Sequence, residues 1–372
     1  MGAEKKQANS KNKQAESKNK QTDLNNEYEV ELTTLCYVEK DNQFLMLKRN
    51  KKENDRSKDL YIGLGGHFNT GETPEECMLR EVYEESSLML TNYELRGMVT
   101  FNEENHTEYM FLYTADEYVG DVTDDCNEGK LEFVDKDKII GYLPLWAGDE
   151  IFLKQLMESK KYFSLKLFYN GRRLESAFLD GKELELFDEL DKDGYPTGFT
   201  KERSIAHTIG MYHKTVHIWI IRKTEEGFDV LLQKRSEKKD SYPGCYDISS
   251  AGHVTAGDEY ESAAIREIEE ELGIKIDEDE LEYIGDHIGF EDTYYHGKRF
   301  FNREFARVYV CNRDIDERGI ILQEEEVSDV MWVNYELCSL MIEEKKIKHA
   351  IPMDEWKMLK NYFISVYGDY IC

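Results

Sequence analysis

Apolar residues along this chain recur mainly at every second position, in short runs closed by polar turns, and that pattern predicts strands. Glu31–Glu39 and Gln43–Lys48 read as a strand pair around the polar turn Lys40–Asn42. A charged loop, Asn50–Lys58, leads to Leu60–Leu64, and strands resume at Leu95–Asn102 and Glu108–Ala115. Beyond the acidic stretch Asp116–Asp137, whose Phe133–Val134 enters a last strand, Asp149–Glu158 reads as a helix. Residues 159–184 read as a hairpin about Asn170-Gly171, a pair suited to a tight turn, packing on the first domain or bridging to a second. The alternation then begins again. Val216–Ile221 and Val230–Gln233 flank a turn at Glu225–Gly227, and Leu281–Gly285, Arg303–Cys311 and Val330–Val333 are further strands. A closing helix, Asp354–Val366, places Trp356, Leu359, Tyr362 and Phe363 on one face as core.

Two stretches break the period of two. Gly66–Leu88 reads GHFNTGETPEECMLREVYEESSL, with Glu81, Glu84 and Glu85 at i, i+3 and i+4, so their carboxylates share one helical face. Thr73 can cap that helix, Pro74 suits its first turn, and Glu76 completes a capping box. Met78, Leu79 and Val82 supply the opposite, apolar face. Like charges at this spacing cost about 0.2–0.5 kcal/mol per pair. A hard divalent cation offsets that cost, because Mg²⁺ takes carboxylate oxygens and then substrate phosphates. Gly252–Ile274 reads GHVTAGDEYESAAIREIEEELGI and repeats the pattern, with Arg266, Glu267, Glu270 and Glu271 matching Arg80, Glu81, Glu84 and Glu85.

Both copies resemble the Nudix box, G-x5-E-x7-R-E-U-x-E-E-x-G-U, where U is a bulky aliphatic residue. The first departs at Ser87, where the pattern has Gly, and the second at Asp258, where it has Glu. The resemblance implies an α/β fold of two α/β/α sandwich domains, each with a mixed sheet and a loop–helix–loop box holding Mg²⁺ or Mn²⁺ against a diphosphate. It assigns Glu81, Glu84, Glu85, Glu267, Glu270 and Glu271 to metal binding and catalysis. Arg80 and Arg266 orient a carboxylate, and Gly66 and Gly252 let the backbone approach the metal or phosphate. A later loop often adds an acid, for which Glu128 is the candidate. Residues 30–158 resemble MutT-like 8-oxo-dGTP diphosphatases, through TLCYVEKDNQFLMLKRNKKEND, YIGLGGHFNTGET and NEGKLEFVDKDKI. From Leu186 onward DELDKDGYPTG, HKTVHIWII, LLQKRS and PGCYDISSAGH resemble Nudix proteins related to isopentenyl-diphosphate isomerase. Ala251 stands where those isomerases carry a catalytic cysteine, so hydrolysis is expected there instead. Such isomerases also hold a metal through several histidines. The spacing around His213 and His217 departs from theirs, so His207, His213, His217 and His253 are read as strand-end or turn residues.

The expected organisation is a disordered polar tail (1–27), a first Nudix domain (28–158), the hairpin (159–184) and a second Nudix domain (185–372). A net charge of −29 argues against a general nucleic-acid surface. It leaves small nucleotide substrates open, because a bound metal inverts the local charge. Seven cysteines without paired spacing suggest a reducing compartment and no zinc site. With no apolar run long enough to span a bilayer and no signal peptide, a cytoplasmic location is expected. Oligomeric state is not legible. A nucleoside-diphosphate derivative such as ADP-ribose is the alternative substrate, and a nucleotide-sensing role for one box is the alternative from another class.

Overall fold

A computed structural model describes residues 29–51, 55–123, 126–239, 241–295 and 297–368. The tail expected to be disordered, residues 1–27, lies outside the described residues.

The strand Glu29–Lys40 turns back through Asp41 and Asn42, both at positive φ (49° and 64°), into Gln43–Arg49. Its outer edge runs parallel to His106–Val119, and the antiparallel partner of that strand is Met89–Glu103. Gly129–Asp135 completes the other side against Gln43–Arg49. The sheet is therefore mixed, as expected. Alternation along the first strand divides it between two cores. Cys36 and Val38 face the helix Pro74–Ser86 through Met78 and Val82, whereas Leu35 and Tyr37 face the helix Ala147–Glu158 through Ile151 and Phe152. Two helices thus sandwich one sheet.

The hairpin joins the first sheet. Phe163–Asn170 pairs in parallel with Met89–Glu103 and, with Arg173–Leu179 and Lys182–Glu183, extends the first sheet to nine strands. Its return strand, Arg173–Leu179, buries Leu174 and Ala177 in the first core, alongside Leu186 and Ile205 from the second half. Polar ties cross at the same place. Arg173 pairs with Asp188 at 2.7 Å, and Lys201 pairs with the buried Glu150 at 2.5 Å.

The second half repeats the plan. Tyr212–Thr224 lies parallel to Lys298–Asn312 and antiparallel to Gly227–Arg235 and Ser250–His253. Val216, Ile218 and Ile220 face the helix Tyr260–Leu272, while Trp219 and Ile221 face Met353–Tyr367. Several elements exceed the sequence reading, the helix Arg203–Ile209 among them. The strand at Leu281 runs on to Tyr295 by pairing with Lys298–Asn312, and the sequence pattern missed its outer part because Phe290 and Tyr294 there are exposed. Tyr335–Glu343 is a helix that buries only Tyr335 and Cys338, too few for a period of 3.6 to show. Its start is held by Asn334, whose side chain accepts from the N–H groups of Glu336 and Leu337.

Candidate active site: two carboxylate boxes

The first box helix begins as its sequence dictates. The Thr73 hydroxyl accepts from the Glu76 N–H at 3.2 Å, and the Glu76 carboxylate accepts from the Thr73 N–H at 2.9 Å. The helix ends at Ser87, which sits at φ 65°, ψ 11° in the left-handed region. The second box ends at Gly273 with φ 66°, ψ 19°, so the departure from Gly in the first box changes the residue and keeps the backbone. Gly273 has a further reason: a Cβ there would come within 2.8 Å of Ile321 Cβ. Ser87→Gly is therefore expected to stabilise the fold by about 1 kcal/mol, read by denaturant unfolding, because Gly carries no penalty in this region. Gly273→Ser should destabilise by more, since strain and collision add.

Arg80 organises the first box. Its Nε and Nη2 donate to the two oxygens of Glu72 at 2.6 and 2.9 Å, a bidentate pair, and Nη1 donates to Glu81 at 2.6 Å. Nη2 also donates to the His67 carbonyl at 3.0 Å, tying the loop to the helix. The pairing with Arg80 holds the Glu72 carboxyl down at about 2. In the second box Arg266 donates to the His253 carbonyl at 2.9 Å and to Asp258 through Nη1 alone, also at 2.9 Å. The shorter Asp side chain accounts for the loss of one contact. Glu267 lies 3.4 Å from Arg266.

Glu85 is buried, and its Oε2 accepts from the Gly65 N–H at 2.9 Å. Burial, followed by the Glu128 and Glu81 charges against the Gly65 and Arg49 contributions, pushes its carboxyl up to about 8. Glu271 occupies the matching place. Its Oε2 accepts from the Ala251 N–H at 3.3 Å and from the Ser250 hydroxyl at 2.7 Å. Glu267 and Glu271 are both pushed up to about 7, chiefly by burial. The first acid of each trio lies on the box glycine. A Cβ on Gly66 would come within 2.5 Å of the Glu81 carboxylate carbon, and one on Gly252 within 1.9 Å of that of Glu267. Each glycine is thus a floor for a carboxylate, which refines the expected backbone approach. Glu84 and Glu270 are exposed at the same helical face.

Carboxylates gathered at one helical face, with Glu85, Glu267 and Glu271 pushed up by burial, are a donor set for a hard divalent cation, which supplies the missing positive charge. The residues present fit such an ion in both boxes. Glu128 lies close enough for its charge to act on Glu85, and it pairs with Arg49 at 2.5 Å. Its counterpart escaped the sequence reading. Gly129 is paired with Arg49, and Val327 with Arg235, so Glu326 precedes its strand as Glu128 precedes Gly129. Glu326 forms an ion pair with Lys239, whose ammonium is pulled below its usual value by burial and then by Arg235, and feels the Glu271 and Glu267 charges. The readable signal was an acid one residue before the last strand in each half.

The four histidines of the second half divide. His217 pairs with the fully buried Glu355, its Nδ1 lying 2.7 Å from the carboxylate. His207, His213 and His253 instead bring one ring nitrogen each within 4.8 Å of the others. Reading them as separate strand-end or turn residues misses this grouping, because a helix and two strands join only in the folded chain.

No helix among the described residues is long and apolar enough to cross a membrane. The chain is 44% identical over 154 residues to Nudix hydrolase 3 of Arabidopsis thaliana, a match covering 41% of this chain and 19% of that protein. An uncharacterized Nudix hydrolase of Clostridium acetobutylicum is 30% identical over 163 residues, covering 44% and 76% respectively. A crystal structure of a MutT protein from Bacillus halodurans has 27% sequence identity and a TM-score of 0.37, covering 41% of this chain and 99% of that one. The NUDIX domain model matches residues 31–156 and again 211–355. With both boxes built alike and both halves matched, the chain belongs to the Nudix hydrolase family and carries its domain twice.

Proposed function

We propose that the protein is a tandem, divalent-metal-dependent hydrolase of diphosphate linkages in nucleoside derivatives. Its first domain would cleave 8-oxo-dGTP-type triphosphates to a monophosphate and pyrophosphate, and its second would hydrolyse a different diphosphate. The observation that carries this reading is the repeated constellation: Glu85 and Glu271 each take a backbone N–H from the residue before the box glycine. A bound Mg²⁺ or Mn²⁺ would neutralise phosphate oxygens and lower the pKa of a coordinated water. Around it Glu81, Glu84 and Glu85, or Glu267, Glu270 and Glu271, would hold the ion. Arg80 and Arg266 would fix the position of the first acid in each trio, and Glu128 and Glu326 are the candidate loop acids that would add to the metal site or accept a proton. The base preference rests on the resemblance of residues 30–158.

The test uses the full chain carrying Glu271→Gln, which silences the second box. Its kcat/KM for 8-oxo-dGTP is expected to exceed that for dGTP by at least tenfold. Equal constants for the two nucleotides, or turnover of ADP-ribose alone, would transfer the first domain to the wider class of nucleoside-diphosphate derivatives. Isopentenyl diphosphate, offered with Mg²⁺ to the chain carrying Glu85→Gln, is expected to remain unisomerised, since the Ala251 methyl cannot carry a proton.

A further inference from the structure

We propose that the edge strand Leu281–Tyr295 pairs with the same strand of a second copy of this chain, joining two second domains through one continuous sheet. The two halves show why this edge suits a partner. Thr33 bridges to His67 as Thr215 pairs with His253. Thr33 then pairs with Met110 and Met110 with Val99, while Thr215 pairs with Ala306 and Ala306 with His287. Val99 and His287 therefore hold the same place in the two sheets. Each lies two residues past a glycine, Gly97 or Gly285, at which the register against the neighbouring strand shifts. In the first half this edge is covered, because Gly97–Glu103 pairs residue for residue with Phe163–Tyr169 of the hairpin. In the second half the matching segment is Gly285–Glu291. Among the described residues, the strand that contains it pairs with Lys298–Asn312 alone.

A long unpaired edge is a template for another chain, and its side chains select which chain it takes. Ile288, Phe290 and Tyr294 share one face of the strand and are 62%, 68% and 69% exposed. At the places of Ile288 and Phe290 the covered edge of the first half has the polar Thr100 and Asn102. An antiparallel self-pair centred on Ile288 is complementary in charge. It sets Ile288 against Ile288, Asp286 against Phe290 and Gly285 against Glu291, so none of the acids Asp286, Glu291 and Asp292 faces another. Arg303 is paired with Phe290 on the neighbouring strand, and its Nε is buried with no partner among the described residues. Its guanidinium lies 5.9 Å from the Phe290 ring and 4.3 Å from the Phe301 ring. Self-pairing puts Asp286 of the second copy next to Phe290 on the same face, two strand spacings or about 10 Å from Arg303 between Cα atoms. An Arg and an Asp side chain together span that distance, so the guanidinium gains a carboxylate.

The shared edge would stand beside the second box. Glu291 accepts from the hydroxyl of Tyr242, in the loop leading to that box, at 3.1 Å, and from the hydroxyl of Tyr295 at 2.6 Å. The contact consists of one strand edge and a few apolar side chains from each copy, so the dimer would be reversible rather than obligate.

The experiment is sedimentation velocity on the full chain from about 1 to about 200 µM, in about 0.3 M salt to screen the net charge of −29. A monomer–dimer equilibrium with a Kd on the order of 20 µM is expected. Ile288→Lys and Phe290→Lys should each raise Kd by at least about tenfold, with circular dichroism reporting the native fold, because each sets a charge into the shared edge. Tyr195→Lys, at an exposed side chain elsewhere, should leave Kd as it is. Hydrogen exchange needs no variant. Amides within 285–291 should exchange about fourfold more slowly at the top of that concentration range than at the bottom, and those within 97–103 equally at both. A chain that stays monomeric throughout the range overturns the proposal. Protection of 285–291 that dilution leaves unchanged overturns it too, since the edge is then covered within one chain. So does a dimer indifferent to both edge substitutions, which places the interface elsewhere.

Discussion

Replacing Glu85 by Gln should reduce first-domain turnover by about 10³-fold or more while leaving the fold intact, a loss of at least about 4 kcal/mol in transition-state stabilisation. The amide keeps the shape and can still accept from the Gly65 N–H, which stands 2.9 Å from the native carboxylate. It removes the charge that a divalent ion needs at the most buried of the three acids. Burying a neutral amide costs less than burying a carboxylate already pushed up to about 8, so stability should hold or rise. Glu271→Gln is the matching change, with one difference. Glu271 also accepts from the Ser250 hydroxyl at 2.7 Å, so the Gln amide must present its oxygen to both donors. Steady-state rates on a diphosphate substrate, with melting curves alongside, decide the matter. Undiminished turnover in Glu85→Gln, or wild-type turnover that persists in excess EDTA, would remove Glu85 from the metal site.

The parts that were legible in the sequence are those set by local spacing. Thr73 and Glu76 form the capping box they spell, and Glu81, Glu84 and Glu85 lie on one face because three and four residues make a turn. Side chains along Glu29–Lys40 are divided between two cores, which the unbroken apolar run there does not show by itself. What the sequence concealed is set by pairing between distant strands. Glu326 becomes the counterpart of Glu128 only through the register of Val327 against Arg235. The histidine triangle needs a helix, a strand start and a strand end to meet, and no spacing within one element encodes that. Gly66 and Gly252 were legible as glycines with a purpose. That each is the floor beneath a carboxylate required the position of Glu81 and Glu267.

Stability without metal should fall as pH rises from about 5 to 8, and a divalent ion should flatten that slope. Burial, with the neighbouring Glu128 and Glu81 charges, raises the Glu85 carboxyl to about 8, and burial raises Glu267 and Glu271 to about 7. Each therefore binds its proton more tightly in the folded chain than in the unfolded one, where a carboxyl titrates near 4.3. Such a group stabilises the fold fully below the unfolded value, and that contribution is lost as pH climbs through the folded value. The window is thus about 4.3 to 7 for the second box and extends to about 8 for the first. A metal ion reverses the preference by favouring the ionised form, so its uptake near pH 7 must expel protons. Two measurements check this. Melting temperatures from pH 5 to 8.5 should decline steeply in EDTA and weakly in saturating Mn²⁺. Calorimetric titration at pH 7 in buffers of different ionisation enthalpy should show proton release, smaller in Glu85→Gln and smaller again when Glu271→Gln is added. Identical pH slopes with and without metal, or uptake with no proton release, would mean that these carboxyls are already ionised in the metal-free protein.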